Sequence, residues 1–228
     1  MADLKRRLHP WLQPLNSMFS AAGDPEIAQQ QKAYMRNQFE FFGIKTPERR
    51  AILKEFITVA VLPEKSSLPA IVKSAWLQPE REYQQLMLDI LMKKLKLKEP
   101  EFLPLCEYMI THKSWWDTVD MIASNIVGRI LLLHPELREP SSVKWIGSED
   151  IWLNRTAILF QLMYKTQTDT DLLFRNILNS LPTNEFFIQK AIGWVLRQYS
   201  KTDPAAVEKF VNSHHLPALS RREALRLM

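Results

Sequence analysis

The chain has 228 residues, of which 46% are hydrophobic, enough for one domain or one continuous helical body. A formal net charge of +5 leaves nucleic acid or another anionic surface open as a partner, and the single cysteine, Cys106, excludes an internal disulfide. No uninterrupted apolar run is long enough to span a bilayer, and the basic stretch Met1–Pro10 lacks the apolar core and cleavage site of a secretory signal, so a cytoplasmic protein is expected.

Only five glycines occur, and no Asn-Gly or Asp-Gly dipeptide offers a two-residue hairpin. Apolar periodicity instead predicts an all-helical chain. Helices are expected at Leu4–Phe19, Pro25–Phe42, Pro47–Val61, Leu68–Trp76 and Pro79–Leu95. Further ones follow at Glu101–Thr111, Trp115–Leu133, Ser142–Ile146, Ile151–Tyr164, Asp171–Leu181, Glu185–Tyr199, Pro204–His214 and Arg221–Leu227. Asp24-Pro25, Thr46-Pro47, Gln78-Pro79 and Asp203-Pro204 each set a proline after a polar residue, where its missing N–H costs nothing. Gly43 is read as the stop of the helix begun at Pro25, and Ser220 with Glu223 as a capping box for the last helix. Short helices with short polar turns suit antiparallel pairs stacked as a HEAT-like solenoid, a single domain over residues 1–228, with a compact helical bundle as the alternative. Cys106, among Leu105, Tyr108 and Met109, reads as a buried core thiol.

The most informative stretch runs from His112 to Asp120. Ser114 reads as an N-cap, and Trp115, Val119, Ile122, Ile126 and Ile130 fall on one core stripe. Trp116 and Asp120 stand four apart on a neighbouring face, an indole beside a carboxylate. A structural pair is the ordinary reading; an aromatic plane with an acid also suits a site that stabilises a developing cation. Arg155 interrupts the apolar line Trp152, Leu159, Leu162, and such an arginine needs an anionic partner or a route to water. From Phe186 onward the core face is Ile188, Ile192, Val195 and Tyr199, while Lys190, Trp194, Arg197 and Lys201 form a separate line. Cations interleaved with an aromatic suit a phosphate-rich, base-bearing ligand, or simply a solvated face. Tyr34 lies at the border of a core face. Lys5-Arg6-Arg7, Arg49-Arg50 and Arg221-Arg222 add positive charge. The five histidines lack ligand spacing, and no zinc, calcium, dinucleotide, P-loop or nucleophile-elbow motif occurs, so neither metal nor cofactor is expected.

Lys113-Ser-Trp-Trp-Asp-Thr-Val-Asp120, Ile151-Trp-Leu-Asn-Arg155 and Phe186-Phe-Ile-Gln-Lys-Ala-Ile-Gly-Trp-Val-Leu-Arg197 together resemble the AlkD branch of the DNA alkylation repair proteins. Phe42-Gly-Ile-Lys-Thr-Pro-Glu-Arg-Arg50 and Leu219-Ser-Arg-Arg-Glu-Ala224 resemble its terminal landmarks, so the likeness runs from about Pro25 to the end. It implies a superhelical solenoid of HEAT-like repeats whose basic concave surface grips double-stranded DNA. It also implies a monomeric, monofunctional glycosylase that frees N3- and N7-alkylated purines and works with the chromosomal DNA of a bacterium. By this resemblance Asp120 is the catalytic carboxylate, Trp116 and Trp194 lie against the sugar and backbone at the lesion, and Arg155 binds phosphate. Tyr34 and Arg197 line the cleft, and Lys190, Lys113 and Lys45 join the DNA contacts. Lys45 departs from the neutral polar residue that the resemblance implies at that turn.

The chemistry agrees. Cleavage of an N-glycosidic bond develops oxocarbenium character on the sugar, which a carboxylate stabilises while orienting water. A neutral base would need a general acid, and none is found; a cationic alkylpurine leaves as a neutral base without one. The alternatives are a non-catalytic module for distorted or branched DNA and a HEAT-like protein scaffold.

Overall fold

The computed structural model describes residues 8–228, so Lys5-Arg6-Arg7 and the start of the first expected helix lie outside the described residues. The chain is all-helical. Among the described residues the only extended pairing is an isolated parallel bridge between Glu40 and Glu80. Two compact units, Met1–Leu95 and Lys96–Met228, divide the chain.

In the first unit a short 3-10 turn, Pro10–Leu12, leads into α1 (Gln13–Ala22), followed by α2 (Pro25–Tyr34), α3 (Thr46–Val59), α4 (Leu68–Leu77) and α5 (Arg81–Asp89). A π-helical segment, Ile90–Lys94, extends α5. Contacts of α1 with α3, α3 with α5 and α4 with α5 bury Phe19, Phe56, Val72 and Leu86 completely. Burial of each such side chain contributes about 1.5–3 kcal/mol.

Here α2 is shorter than its apolar pattern suggests. It ends at Tyr34, and Arg36 and Asn37 take positive φ angles of 54° and 57° to turn the chain away. Gly43 is therefore not the stop of this helix. It returns to the helix start at φ 89°, where a Cβ would stand 1.9 Å from the carbonyl oxygen of Asp24 and 2.7 Å from the nitrogen of Ala28. The Asp24 carboxylate itself caps α2, accepting from the N–H groups of Glu26 at 2.8 Å and Ile27 at 3.1 Å. Pro25 opens α2 as expected, whereas Lys45 caps α3 and Glu80 caps α5, so Pro79 lies outside its helix.

Fully buried Glu82 fastens the Gly43 turn. Its Oε1 accepts from the N–H of Gly43 at 3.0 Å and of Ile44 at 3.2 Å, and its Oε2 is buried without a hydrogen bond. Burial raises its pKa above the ordinary carboxylate range, and the backbone donors of this turn oppose that only in part.

The second unit starts with a 3-10 turn at Pro100–Phe102 and α6 (Leu103–Thr111). Then α7 (Trp116–Met121), a π-helical segment (Ile122–Val127) and α8 (Gly128–Leu133) run on without a break. The N–H of Gly128 bonds the carbonyl of Ala123, the wider i to i−5 step. Next come α9 (Arg138–Ile146), α10 (Ile151–Leu159), α11 (Thr170–Asn179), α12 (Phe186–Tyr199), α13 (Pro204–Ser213) and α14 (Ala218–Ala224). Helix α10 contacts α6, α7, α9, α11 and α12, and α12 also contacts α13 and α14. Ile158, Ile177, Ile192 and Val207 are completely buried in the core these helices share. Cys106 is fully buried too, which pushes its thiol up to about 12 and leaves it protonated at neutral pH.

Two consequences are measurable. Gly43→Ala meets backbone atoms that cannot retreat, and should cost more than about 3 kcal/mol in denaturant unfolding. Glu82→Gln retains an acceptor for the turn but cannot ionise. A folded-state pKa above the unfolded value means that the wild-type carboxyl contributes most at acid pH and less as pH rises through the folded value. The variant should therefore gain stability relative to wild type between acidic and neutral pH, and a constant difference would contradict the account.

Candidate active site

Helix α7 starts one residue later than the sequence suggests. Trp115 is its N-cap in extended backbone, with no side-chain cap, and Ser114 Oγ donates instead to the carbonyl of Ile110 in α6 at 2.6 Å. The turn between α6 and α7 is made by Lys113 in the left-handed region, at φ 49°, a conformation costly for a side-chain-bearing residue. This tight reversal presents Trp115 and Trp116 together at the start of α7. The stripe below them is core, as expected: Val119, Ile122, Ile126 and Ile130 are all buried.

One turn into α7, Asp120 meets Arg155 of α10. Nε donates to Oδ1 at 2.7 Å and Nη2 to Oδ2 at 2.8 Å, a bidentate pair in which the arginine side chain is 5% exposed and the aspartate 13%. Arg155 Nη1 donates to the backbone carbonyl of Phe187 on α12. The Phe187 ring lies 6.0 Å from the guanidinium carbon. Arg155, the charged residue in an apolar line, thus has its anionic partner on α7 and a third tie on α12. The phosphate role implied for it meets a different geometry, with three guanidinium nitrogens already bonded inside the protein.

An aromatic triangle supports the pair. Trp115 and Phe187 meet edge to face with centroids 5.2 Å apart, Trp152 and Phe187 stand at 4.9 Å, and Trp115 and Trp152 at 5.8 Å. Each such contact contributes about 0.5–1.5 kcal/mol beyond area burial. The indole N–H of Trp115 is buried there without a hydrogen-bond acceptor. Burial raises the Asp120 carboxyl above its ordinary range; the hydrogen bond and charge of Arg155 lower it, and nearby Asp117 raises it again, so the net direction is upward.

Trp116 is half-buried as the first residue of α7. Trp194 is half-buried on α12 and packs against the core of the second unit. Lys190 and Arg197 converge on Glu223 of α14, Lys190 at 3.1 Å from Oε1 and Arg197 on Oε2. The Ser220 and Glu223 capping box is absent: α14 starts earlier, at Ala218, and Ser220 Oγ donates to the Gln189 carbonyl of α12 at 2.8 Å.

Of the nine expected site residues, the second unit holds Lys113, Trp116, Asp120, Arg155, Lys190, Trp194 and Arg197, and the first holds Tyr34 and Lys45. Tyr34, the last residue of α2, is 71% exposed rather than at the border of a core. Lys45 is exposed, and its N–H is bonded by Glu48 at 3.1 Å. Sequence reasoning missed Phe187, whose ring and carbonyl both serve Arg155, and the second task of Glu223. No helix among the described residues is long and apolar enough to cross a membrane, and none of their His, Cys, Asp and Glu side chains form a cluster of metal-ligand type.

A comparison with curated protein sequences gives no match. A solved structure, described as a predicted DNA alkylation repair enzyme from Enterococcus faecalis, is 36% identical to this chain, covers 90% of it and 96% of itself, and superposes with a TM-score of 0.82. The family model for the DNA alkylation repair enzyme matches residues 15–228. Matched over nearly its whole length in sequence and sharing its fold with that structure, the chain belongs to the DNA alkylation repair enzyme family.

Proposed function

We propose that this protein is a monofunctional DNA glycosylase that releases cationic N3- and N7-alkylated purines from double-stranded DNA, as a monomer, for base excision repair. The observation that carries the proposal is the Asp120 carboxylate, largely desolvated yet paired in two-point geometry with Arg155. Little water competes with such a carboxylate for a positive charge that develops beside it.

In this reading the bond between C1′ and the purine nitrogen breaks with both electrons leaving on the base. The alkyl adduct has already made the ring cationic, so the base departs neutral and needs no proton donor. The sugar becomes oxocarbenium-like and Asp120 stabilises it. Water adds at C1′ and gives up a proton, leaving an abasic site and free base. Trp116 and Trp194 press on the sugar and backbone, each adding about 0.5–2 kcal/mol of cation–π attraction. Arg155 holds the carboxylate oriented and opposes its protonation. Lys190, Arg197, Lys113, Lys45 and Tyr34 grip the DNA.

A second reading rests on the same pair: a carboxylate closed on an arginine also suits a purely structural ion pair in a non-catalytic DNA-binding module. Asp120→Asn separates the two. The glycosylase reading expects release of 7-methylguanine from a singly modified duplex to fall about 10²–10³-fold, with duplex affinity kept within a few-fold. Full release by that variant would sink the carboxylate mechanism, and no release by wild type would favour the binding module.

The pH dependence has a definite sign. Asp120 acts ionised and its pKa is raised, so single-turnover release should climb with pH through a carboxylate limb displaced above the ordinary range. Arg155→Met removes the groups that lower that pKa, and should move the limb further up and slow release about 10²-fold. The same variant leaves a buried carboxylate unpaired and should lose about 3–5 kcal/mol of stability at neutral pH. That loss should shrink as pH falls and Asp120 takes up a proton. An unmoved limb would show that Asp120 does not carry the rate.

A further inference from the structure

Lys190 and Arg197 stand seven residues apart on α12, nearly two turns and about 10.5 Å along the axis. Left to solvent, two like charges on one helix face spread apart. Here both heads are drawn to one carboxylate: Glu223 Oε1 lies 3.1 Å from Lys190 Nζ, and Oε2 is bonded by Arg197 Nη1. The approach is built into the backbone. Gly193, midway between the cations, has no side chain; a Cβ there would lie 2.5 Å from Glu223 Cβ and 3.0 Å from the Ser220 carbonyl. Ser220, one turn before Glu223, is bonded to the Gln189 carbonyl at 2.8 Å, which sets α14 against α12 at this point. The Glu223 side chain is 14% exposed, while those of Lys190 and Arg197 are 40% and 23% exposed. The acid therefore sits beneath, and the cations reach outward over it.

The charge sum is two cations to one carboxylate, a net of +1, which a single phosphate monoanion balances. Each cation spends one nitrogen on Glu223 and keeps further N–H groups: two on the lysine, and Nε and Nη2 on the arginine. We infer that Glu223 is a positioning residue for DNA: it gathers Lys190 and Arg197 into one preformed phosphate seat beside Trp194, while cancelling one of their two charges. The inference rests on the proposal that this face of α12 meets DNA. A helix fastener alone would not need its carboxylate shared by two partly exposed cations. The gathered arrangement sets which phosphate is held and where, and the cancelled charge limits indiscriminate attraction to undamaged duplex.

The test uses Glu223→Gln and Glu223→Asp in the full chain, with a duplex carrying one 7-methylguanine and its unmodified counterpart. Glu223→Gln keeps the volume and removes the charge. Its binding to unmodified duplex should depend more steeply on salt, the log–log slope rising by about 0.9 for one more uncompensated cation at phosphate. Its single-turnover release should nevertheless fall roughly threefold to tenfold, because the two cations no longer share an anchor. Glu223→Asp keeps the charge and withdraws it by one methylene, so release should fall with the salt slope unchanged. If Glu223→Gln does not fold, by thermal melt against wild type, Glu223→Asp decides: release that falls at wild-type melting temperature and salt slope supports the inference, and unchanged release overturns it. Wild-type slope and release in both variants would overturn the inference, as would a loss of release in Glu223→Gln with no change of slope, or in Glu223→Asp only in proportion to a fall in melting temperature. If wild type binds duplex but frees no base, the glycosylase reading fails, and the seat is still judged by the slope.

Discussion

The ion pair between Asp120 and Arg155 is the constraint around which the second unit is arranged. Removing two charges from water costs several kcal/mol for each, and attraction repays it only when geometry is good and the remaining donors are bonded. Both conditions are met here: two parallel hydrogen bonds, and a third from the guanidinium to Phe187. Since the three partners come from α7, α10 and α12, meeting these conditions fixes the three helices together. The rings of Trp115, Trp152 and Phe187 close the underside. A carboxylate held at both oxygens cannot swing, so any molecule it stabilises must come to it.

The same arrangement recurs with reversed proportions at Glu223. There one acid anchors two cations near the surface, and hydrogen bonding to Lys190, with the charges of both partners, holds its carboxyl below the ordinary range. At Asp120 burial dominates and the direction is upward. Two carboxylates of one unit are thus displaced in opposite senses by their surroundings, the deeper one by burial and the shallower one by its two cations.

Much of this was legible in the sequence, and the limits were physical. Periodicity found nearly every helix because burial of an apolar face repeats locally. The i, i+4 spacing of Trp116 and Asp120 and the misplaced charge of Arg155 were both visible, yet nothing in a linear chain shows that one answers the other across 35 positions. Local signals failed where a distant group competed for the same atoms. Ser114 looked like an N-cap and bonds the preceding helix; Ser220 and Glu223 looked like a capping box and both bond α12. Gly43 looked like a helix stop because it is a glycine after an apolar run, but what demands glycine there is the backbone of Asp24, far back in the chain. Phe187 escaped notice because half of its work is done by its carbonyl, which every residue has.

The π-helical segment at Ile122–Val127 has a bearing on how related chains are to be read. An α-helix completes a turn in about 3.6 residues, whereas a π turn bonds i to i−5 and so holds an extra residue in one widened turn. The segment lies between Asp120, which meets Arg155, and the buried Ile130. Loss of one residue from this segment would leave every site side chain in the sequence and let the wide turn close to an ordinary α-helical one. A homologue one residue shorter here can therefore present the same faces, and its acid and its buried isoleucines align with those of this chain only across a one-residue gap.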